Sequence, residues 1–393
     1  MKPRDIVIMP GDGIGKMLLP ESLRVLEAAG FKANYIPADI GWEFWCREGD
    51  ALPQRTLALL EKHRIGLFGA ITSKPKDRAD LELSLELKNK GYVYYSPIVA
   101  LRQHFTLDIC MRPCRTFEGN PLNFIKRTEE GFFEPKINAV VFRQNTEGLY
   151  SGVEWTNPPE NVRSALEIHP RMAAFKSVPN EEMAVSCRII TRKACRRIIT
   201  EAFRYARRFG YKTVTVCEKP NILRETSGMM REEAMKIAPA FSGIQLWETN
   251  IDAQMMWLNK NPEDYGIIVT SNMFGDIVSD AFSGLVGGLG FANSANIGET
   301  CAIFEPTHGS APKYENLKPS IVNPIAMILS ACLMLDYLDE IDIADRIRAA
   351  IEAVIREGKV RTYDMLRMVG GPGVVARGAA STQAMTDAII DKL

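Results

Sequence analysis

The sequence has no excess of either charge. Its 48 lysines and arginines match its 48 aspartates and glutamates, so the formal net charge at pH 7 is zero. Nucleic acids and anionic membrane surfaces attract proteins with strong positive charge, so this balance gives no reason to expect either as a partner. A membrane-spanning segment is also missing, because the longest apolar run, from Pro324 to Leu335, is too short to cross a bilayer. Asn323 and Pro324 instead predict the capped start of a buried helix.

Cysteine pairs with the spacing of a metal site or a disulfide framework are missing too. The chain has eight cysteines, and the nearest pair, Cys110 and Cys114, is separated by three residues rather than two. The residues from Met1 to Asp5 lead directly into an apolar strand pattern without the features of a signal peptide. We therefore expect a reducing, cytoplasmic environment.

Strand and helix patterns alternate along the chain, which predicts an α/β fold. Its 393 residues indicate two or three domains. Helices are expected around Met17 to Ala29 and from Thr191, which can cap the helix, to Arg208. The second helix carries six arginines, for which a solvated face is favoured over a nucleic-acid site because the chain is neutral. The predicted strands are Asp5 to Met9, Ile65 to Phe68, Ala139 to Phe142, Thr213 to Val216 and Ile267 to Thr270.

A glycine-rich turn, Gly11 to Gly15, lies between the first strand and the first helix. The fingerprint of dinucleotide-binding folds is G-x-G-x-x-G, whereas the third glycine here comes one residue early. The fingerprint also includes an acidic residue about twenty positions later, at the end of a strand, and this sequence shows no convincing match to it. A tight structural turn near a site is therefore the better interpretation.

Two carboxylates, Asp276 and Asp280, follow the strand that ends at Thr270. If Gly275 opens a helix, both acids share one helical face, roughly 5–6 Å apart. Two oxygen donors on a rigid element suit a hard divalent cation. The alternative is a pair of solvated acids in the first helical turn, where the helix dipole favours them.

Seven segments in order resemble the β-decarboxylating dehydrogenases, the family of isocitrate, 3-isopropylmalate, homoisocitrate and tartrate dehydrogenases. One such motif would be weak evidence, but the series runs from the N-terminus to about Arg367. The segments are Gly11 to Gly15, Leu101 to Gln103 with Met111 to Pro113, Arg143 to Trp155, Glu218 to Asn221, Asn272 to Asp280, Gly287 to Gly290, and His308 to Tyr314.

The resemblance implies a two-domain α/β fold that is not a Rossmann fold, with the catalytic cleft between the domains. Residues 1–101 and 287–393 would form the large domain on the cofactor side, and 102–286 the small domain with the metal acids and dimer interface. It also implies a homodimer with shared active sites. An arm at about 150–190, of which Asn157 to Asn180 is our candidate core, would clasp the partner.

The resemblance also implies a metal site and a substrate site. Asp276 and Asp280 would bind Mg²⁺ or Mn²⁺ together with Asp252 of the partner subunit. Three carboxylates around one site repel each other until a cation enters, so activity should depend tightly on metal. Three arginines match the positions that bind substrate carboxylates, and the guanidinium fork suits that task. They are Arg102, Arg112 and Arg143.

Lys219 and Tyr150 match the acid–base pair of the family, with Asp252 beside them. Lys219 would take up a proton, directly or through water, and Tyr150 would protonate the enolate. Relatives usually have histidine where this chain has Glu218. That change could alter how readily Lys219 gives up its proton.

The cofactor residues resemble those of the NADP-specific members. NAD-specific members usually place aspartate at the position of Lys313, which would repel the 2′-phosphate that a lysine attracts. Tyr363 and Arg367 also match the NADP pattern, and on a helix both would face the phosphate. The expected cofactor site comprises Thr72, His308, Gly309, Ser310, Ala311, Lys313, Tyr314, Asn323, Tyr363 and Arg367.

The substrate residues depart from the isocitrate pattern. Ser96, which can hydrogen-bond a γ-carboxylate, is retained, but the asparagine two positions later is Ile98. Pro97 would redirect the helix start, and Phe68 replaces a lysine. The loop from Lys74 to Gly91 is longer and highly charged, and Lys74 or Lys76 could meet a second anionic group. Candidate substrates are isocitrate first, then homoisocitrate, 3-isopropylmalate, tartrate or malate, or a phosphonate-bearing malate.

A second class of function is a non-catalytic regulatory subunit, as some relatives are. Such subunits lose catalytic or metal-binding residues. This chain keeps all of those named above, which favours an enzyme. Because one metal ligand should come from the partner, we expect a monomer to be inactive.

Overall fold

The computed structural model describes residues 3–393, and the side chains of residues 76 and 77 lie outside the description. Part of the predicted start of the chain, Met1 and Lys2, therefore lies outside the described residues. The described residues contain fourteen strands. They are β1 Arg4–Gly11, β2 Ala33–Pro37, β3 Ile65–Ala70, β4 Ile109–Arg115, β5 Lys126–Thr128, β6 Gly131–Phe133, β7 Asn138–Gln144, β8 Glu154–Thr156, β9 Ala184–Ser186, β10 Thr213–Glu218, β11 Gln245–Asn250, β12 Ile267–Thr270, β13 Asn293–Ile297 and β14 Ala302–Pro306.

Thirteen α-helices occur in the same residues. They are α1 Gly15–Ala28, α2 Trp42–Glu48, α3 Gln54–His63, α4 Lys76–Ala79, α5 Pro97–His104, α6 Glu160–Glu167, α7 Arg192–Phe209, α8 Thr226–Ile237, α9 Ile251–Leu258, α10 Asn272–Leu285, α11 Ile325–Tyr337, α12 Ile341–Glu357 and α13 Thr382–Ile390. All five predicted strands and both predicted helices are present, with ends shifted by a few residues.

Ten strands form one continuous sheet in the order β11-β10-β12-β7-β4-β13-β14-β3-β1-β2. Two parallel groups, β11-β10-β12-β7 and β14-β3-β1-β2, lie at its two ends. The central strands β4 and β13 join them by antiparallel pairing. Parallel strands end at the same edge of a sheet, so the segments that follow β7, β10, β11 and β12 emerge together. The division into domains at 101/102 and 286/287 stays a prediction.

Helix α11 packs in the core, as its apolar sequence predicts. All residues from Ile325 to Asp336 are buried. The helix begins one residue later than expected, because Pro324 takes the capping position. The Asn323 side chain still accepts the backbone N–H of Ile325 at 3.0 Å. No helix in the part of the chain that the structure describes is long and apolar enough to span a membrane.

The segment predicted as an arm is a hairpin extension. Strands β8 and β9 pair antiparallel, and α6 lies between them in sequence. Arg163 of α6 is buried and donates to Glu167 and to the carbonyls of Phe175 and Val178. The arm is therefore held together by its own residues. Whether it clasps a partner stays a prediction.

Helix α7 begins after Thr191, whose hydroxyl accepts the N–H of Ala194, as predicted. Several of its arginines form ion pairs with acids of the same chain rather than standing free in solvent. Arg197 contacts Asp108 at 2.8 Å, and Arg192 contacts Glu233 at 2.8 Å.

Candidate active site

Helix α10 carries both predicted metal acids on one face. It begins at Asn272, three residues before the glycine that was expected to open it. Asp276 and Asp280 still lie four residues apart within the helix. Gly275 has a different reason to be glycine, since an added Cβ would lie 2.6 Å from Cγ of Arg143. The missing side chain lets Arg143 approach the helix.

Arg112 and Arg143 reach these acids from neighbouring antiparallel strands, β4 and β7. Nη1 of Arg112 lies 3.2 Å from Oδ1 of Asp276 and 3.0 Å from Oδ1 of Asp280. Nη1 of Arg143 also donates to Oδ1 of Asp276. Arg143 is 2% exposed, so its charge is compensated by Asp276 rather than by water.

Nε of Arg112 is buried and has no hydrogen-bond partner among the described residues. Native proteins rarely leave a charged donor unpaired, so this N–H points to a ligand. A carboxylate of a bound substrate has the acceptors that would satisfy it.

Tyr150 closes the same cluster. Its hydroxyl donates to Oδ2 of Asp276 at 2.9 Å, and the guanidinium of Arg143 lies 5.3 Å from its ring centre. Burial and then the hydrogen bond to Asp276 raise the pKa of Tyr150. The phenol is therefore protonated at neutral pH and has a proton to give.

Arg102 makes its hydrogen bonds outside this cluster. Its guanidinium contacts Oε1 of Glu305 at 3.2 Å and Oδ1 of Asn296 at 3.1 Å. The structure thus brings Arg112, Arg143, Tyr150, Asp276 and Asp280 together, and it directs Arg102 to an acid of β14.

Lys219 and Asp252 form a second, separate cluster. Lys219 follows β10 and Asp252 lies in the first turn of α9, after the neighbouring strand β11. Their side chains form an ion pair, and the hydrogen bond from Lys219 lowers the pKa of Asp252. Among the side chains that the structure describes, no three from acidic, histidine or cysteine residues lie close enough to hold a metal ion. One chain therefore does not assemble Asp252, Asp276 and Asp280 into one site.

Glu218 turns away from Lys219. It is 1% exposed and accepts from Arg188 at 2.8 Å, from the hydroxyl of Ser227 at 2.6 Å and from the N–H of Ser271 at 2.7 Å. Sequence reasoning missed Arg188, because the two charged residues are thirty positions apart and no local pattern links them.

The glycine turn holds the predicted cofactor loops together. Asp12 accepts the N–H of Thr72 at 2.8 Å, and Ile14 donates to the carbonyl of Ser310 at 2.9 Å. A Cβ on Gly13, whose φ is +51°, would lie 2.2 Å from that carbonyl oxygen. The hydroxyls of Thr72 and Ser310 are 2.6 Å apart. The turn is therefore a structural element beside a site, in agreement with its sequence interpretation.

A cleft of about 540 Å³ opens next to this turn. Nε2 of His308 and Oδ1 of Asp364 are buried there without partners among the described residues. Burial lowers the pKa of His308, so its ring is neutral at pH 7. An imidazole nitrogen and a carboxylate oxygen that both lack partners fit a ligand with hydroxyl and amino groups, such as a nucleotide. The predicted cofactor residues that line the cleft are His308, Gly309, Ala311, Tyr314, Asn323 and Tyr363.

Of the two predicted phosphate-binding cations, Lys313 lies beside aromatic residues of the cleft and Arg367 points outside it. Nζ of Lys313 lies 4.7 Å from the ring centre of Tyr314, whose own ring is 5.6 Å from that of Tyr363. The expected helix through Tyr363 and Arg367 is wrong, because this segment forms turns and Arg367 has a φ of +54°. Nη2 of Arg367 donates to the carbonyl of Pro121 at 3.0 Å, outside the cleft.

The substrate side of the site also departs from expectation. Phe68 is 1% exposed and packs in an apolar cluster. Helix α5 begins at Pro97, and Ser96 precedes it without a capping hydrogen bond from its side chain. Ile98 is partly buried against the same apolar cluster.

The charged loop after Thr72 is anchored by aromatic residues. The hydroxyl of Tyr94 donates to the carbonyl of Thr72 at 2.9 Å, and its ring lies 5.0 Å from that of Trp42. Lys74 pairs with Glu82 at 2.5 Å and lies over the Trp42 ring. Its ammonium would have to leave Glu82 to bind a second anionic group of a substrate. The side chain of Lys76, the other lysine suggested for an anionic group, lies outside the described residues.

Comparisons with known proteins cover the whole chain. The family model described as isocitrate/isopropylmalate dehydrogenase matches residues 5–389. Protein DlpA of Legionella pneumophila is 36% identical over 391 residues, and the chain spans 99% of its own length but only 58% of DlpA. The isocitrate/homoisocitrate dehydrogenase of Thermus thermophilus is 34% identical, with 99% of this chain and 98% of that enzyme covered. The crystal structure of isocitrate dehydrogenase from Methylococcus capsulatus has a TM-score of 0.79 and 34% identity, covering 99% of each chain.

These matches define the class, the NAD(P)-dependent decarboxylating dehydrogenases, which use a divalent metal and act on small hydroxy acids. The chain belongs to the isocitrate/isopropylmalate dehydrogenase family. The resemblance and the α/β fold predicted from the motifs are thereby confirmed. Relatives at 34% to 38% identity are named for isocitrate, homoisocitrate or 3-isopropylmalate, so identity does not discriminate the substrate.

Proposed function

We propose that this protein catalyses the NADP- and divalent-metal-dependent oxidative decarboxylation of a 3-substituted malate, with isocitrate as the first candidate substrate. The observation that carries the proposal is the cluster of Arg112, Arg143, Tyr150, Asp276 and Asp280. It combines two carboxylate-binding cations, a protonated phenol and two oxygen donors on one helix face. A regulatory subunit is disfavoured, because such subunits lose these groups.

The arginines and acids of the cluster neutralise each other in the structure. A substrate carboxylate can replace Asp276 as the partner of Arg112 and Arg143, and it can also satisfy the unpaired Nε of Arg112. Asp276 and Asp280 would then be released to bind a cation. Substrate and metal are therefore expected to bind together rather than independently.

Asp276 and Asp280, with Asp252 of the partner subunit, would hold Mg²⁺ or Mn²⁺. Bound there, the cation would act as a Lewis acid that polarises the substrate oxygen during oxidation and loss of CO₂. Asp252 pairs with Lys219, so a partner that supplies the carboxylate also supplies the lysine. Nζ of Lys219 of the partner subunit would accept the proton of the substrate hydroxyl, and Oη of Tyr150 would protonate the enolate.

Lys313, Tyr314 and Tyr363 support the choice of NADP over NAD. They lie beside one another at the edge of the cleft, with a cation over one aromatic ring. A 2′-phosphate carries close to two negative charges, and Lys313 would attract it. Arg367 would contribute only after leaving the carbonyl of Pro121.

Replacing Lys313 with aspartate should remove the preference for NADP. We expect KM for NADP to rise by about 100-fold, since like charges placed together cost several kcal/mol, with KM for NAD little changed. Steady-state kinetics with both cofactors measure this. Lys318→Asp, the same charge change five residues along, should leave KM for NADP near its wild-type value. Unchanged NADP affinity in Lys313→Asp would refute the cofactor assignment.

The substrate is tested by NADPH formation from a panel of substituted malates with Mg²⁺ or Mn²⁺. We expect isocitrate to give the highest kcat/KM, because Ser96 is free of a capping hydrogen bond and can meet a γ-carboxylate. The apolar setting of Ile98 favours 3-isopropylmalate as the second candidate, since it offers no polar group to a third carboxylate. A higher kcat/KM for 3-isopropylmalate would correct the substrate, and no turnover of any member would refute the enzyme.

We further propose a homodimer whose arms, residues 150–190, clasp each other, with the cleft between the two domains predicted above. The self-contained hairpin of β8 and β9 supports this role for the arm. The cytoplasmic location stays a prediction.

A further inference from the structure

A buried ion pair joins Arg188 to Glu218 behind the site. The two side chains are 13% and 1% exposed, and Nη2 of Arg188 lies 2.8 Å from Oε2 of Glu218. Arg188 comes two residues after β9, at the base of the arm. Glu218 is the last residue of β10, immediately before Lys219. The pair therefore connects the arm to the strand that carries the lysine.

The same pair fixes the start of helix α10. Oε1 of Glu218 accepts the N–H of Ser271 at 2.7 Å, and Nη2 of Arg188 donates to the hydroxyl of Ser271 at 2.8 Å. Ser271 is the residue that precedes the helix. The guanidinium also lies 5.1 Å from the ring centre of Phe274, in the first turn. Asp276 follows two residues later, so its position depends on how this turn is held.

The pair also fixes the backbone at Lys219. The hydroxyl of Ser227 donates to Oε2 of Glu218 at 2.6 Å and accepts the N–H of Lys219 at 3.3 Å. Nη1 of Arg188 reaches Ser227 at 3.1 Å and Thr226 at 2.9 Å. One guanidinium thus donates hydrogen bonds to four side chains on three segments, a geometry that the ammonium of lysine cannot reproduce.

We propose that Arg188 and Glu218 are positioning residues, which hold Lys219 and the Asp276 helix in the arrangement that catalysis needs and link both to the arm. This inference rests on the proposed function of the same site. Neither residue contacts substrate or metal. Their effect passes through Ser271 to the acids of α10 and through the backbone to Lys219.

The test compares wild type with Arg188→Lys in the full-length dimer. We expect kcat to fall by about 10-fold to 100-fold, and Mn²⁺ affinity measured by electron paramagnetic resonance to weaken, with KM for NADP unchanged. Glu218→Gln should lower kcat in the same way. The double variant should be no slower than Arg188→Lys alone, since the two residues act as one unit.

Arg348→Lys is the matched control. Arg348 and Asp336 form another buried ion pair, with side chains 18% and 8% exposed, between α12 and α11. We expect a similar loss of melting temperature there but a wild-type kcat and Mn²⁺ affinity. An Arg188→Lys protein that melts earlier yet keeps wild-type kcat and Mn²⁺ affinity would overturn the inference.

The two proposals fail separately. If wild type turns over a substituted malate and Arg188→Lys is equally active, only the positioning role is refuted. Wild type that turns over none of the panel would remove the proposed function. In that case Mn²⁺ affinity still tests the positioning role of Arg188 and Glu218. Equal Mn²⁺ affinity in wild type and Arg188→Lys would overturn that role as well.

Discussion

A heterodimer of two inactive variants should regain about half of the wild-type kcat per dimer, because one of its two symmetric sites is intact. One chain carries Lys219→Met and the other Asp276→Asn, with different affinity tags so that the mixed dimer can be isolated after co-expression. The reason is the separation of the Lys219–Asp252 pair from the Asp276–Asp280 helix within one chain. If each site takes one cluster from each subunit, both defects fall in the same site and leave the other complete.

Each variant homodimer should be at least about 100-fold slower than wild type, since it lacks either the proton acceptor or a metal ligand in both sites. A heterodimer that carries both substitutions in one chain, with a wild-type partner, provides the control. It loses one group from each site and should be nearly inactive. A mixed dimer as slow as the two homodimers would show that each chain builds its own site, and it would remove the shared-site proposal.

Arg112→Met should lower kcat/KM by about 30-fold or more, because losing one partner of a buried charge pair costs about 2–5 kcal/mol. Arg112 is 8% exposed and contacts both metal acids. In the proposed site, its loss would remove a substrate contact, and it would also remove a positively charged neighbour of Asp276 and Asp280. Steady-state kinetics over a range of substrate and Mn²⁺ concentrations measure both effects.

Arg115→Met on the same strand is the matched control. Arg115 pairs with Glu352 and has a side chain 47% exposed, so its removal should change kcat/KM by less than about twofold. Arg112→Lys should lie between wild type and Arg112→Met, because it keeps the charge and loses the fork. Wild-type kcat/KM in Arg112→Met would contradict the proposed carboxylate site.

The local parts of the site could be predicted from the sequence. Asp276 and Asp280 share a helix face because their spacing fixes it, wherever the helix begins. Thr191 caps α7 for an equally local reason. Motif order identified the family, because seven short matches in series are improbable by chance. These features depend on residues close together in the chain.

The parts that failed depend on tertiary contacts. Arg367 was expected on a helix beside Tyr363, but the segment turns and its guanidinium reaches Pro121. Phe68 was expected near the substrate, and its side chain is buried in an apolar cluster. Glu218 was noted as a change that could alter Lys219, but the arginine that pairs with it lies thirty positions away and was missed. In each case the residues that surround the side chain are distant in sequence, so no local pattern reveals them.

The separation of the Lys219–Asp252 pair from the acids of α10 also has a consequence for gene duplication. A copy that kept Lys219 and Asp252 but lost the acids of α10 could still complete the site of an intact partner, as could a copy with the opposite loss. Selection would then act on the pair of genes rather than on each one. If the sites are shared as proposed, division of these residues between two places in the fold would give this scaffold a simple evolutionary route to obligate heteromers with one working site.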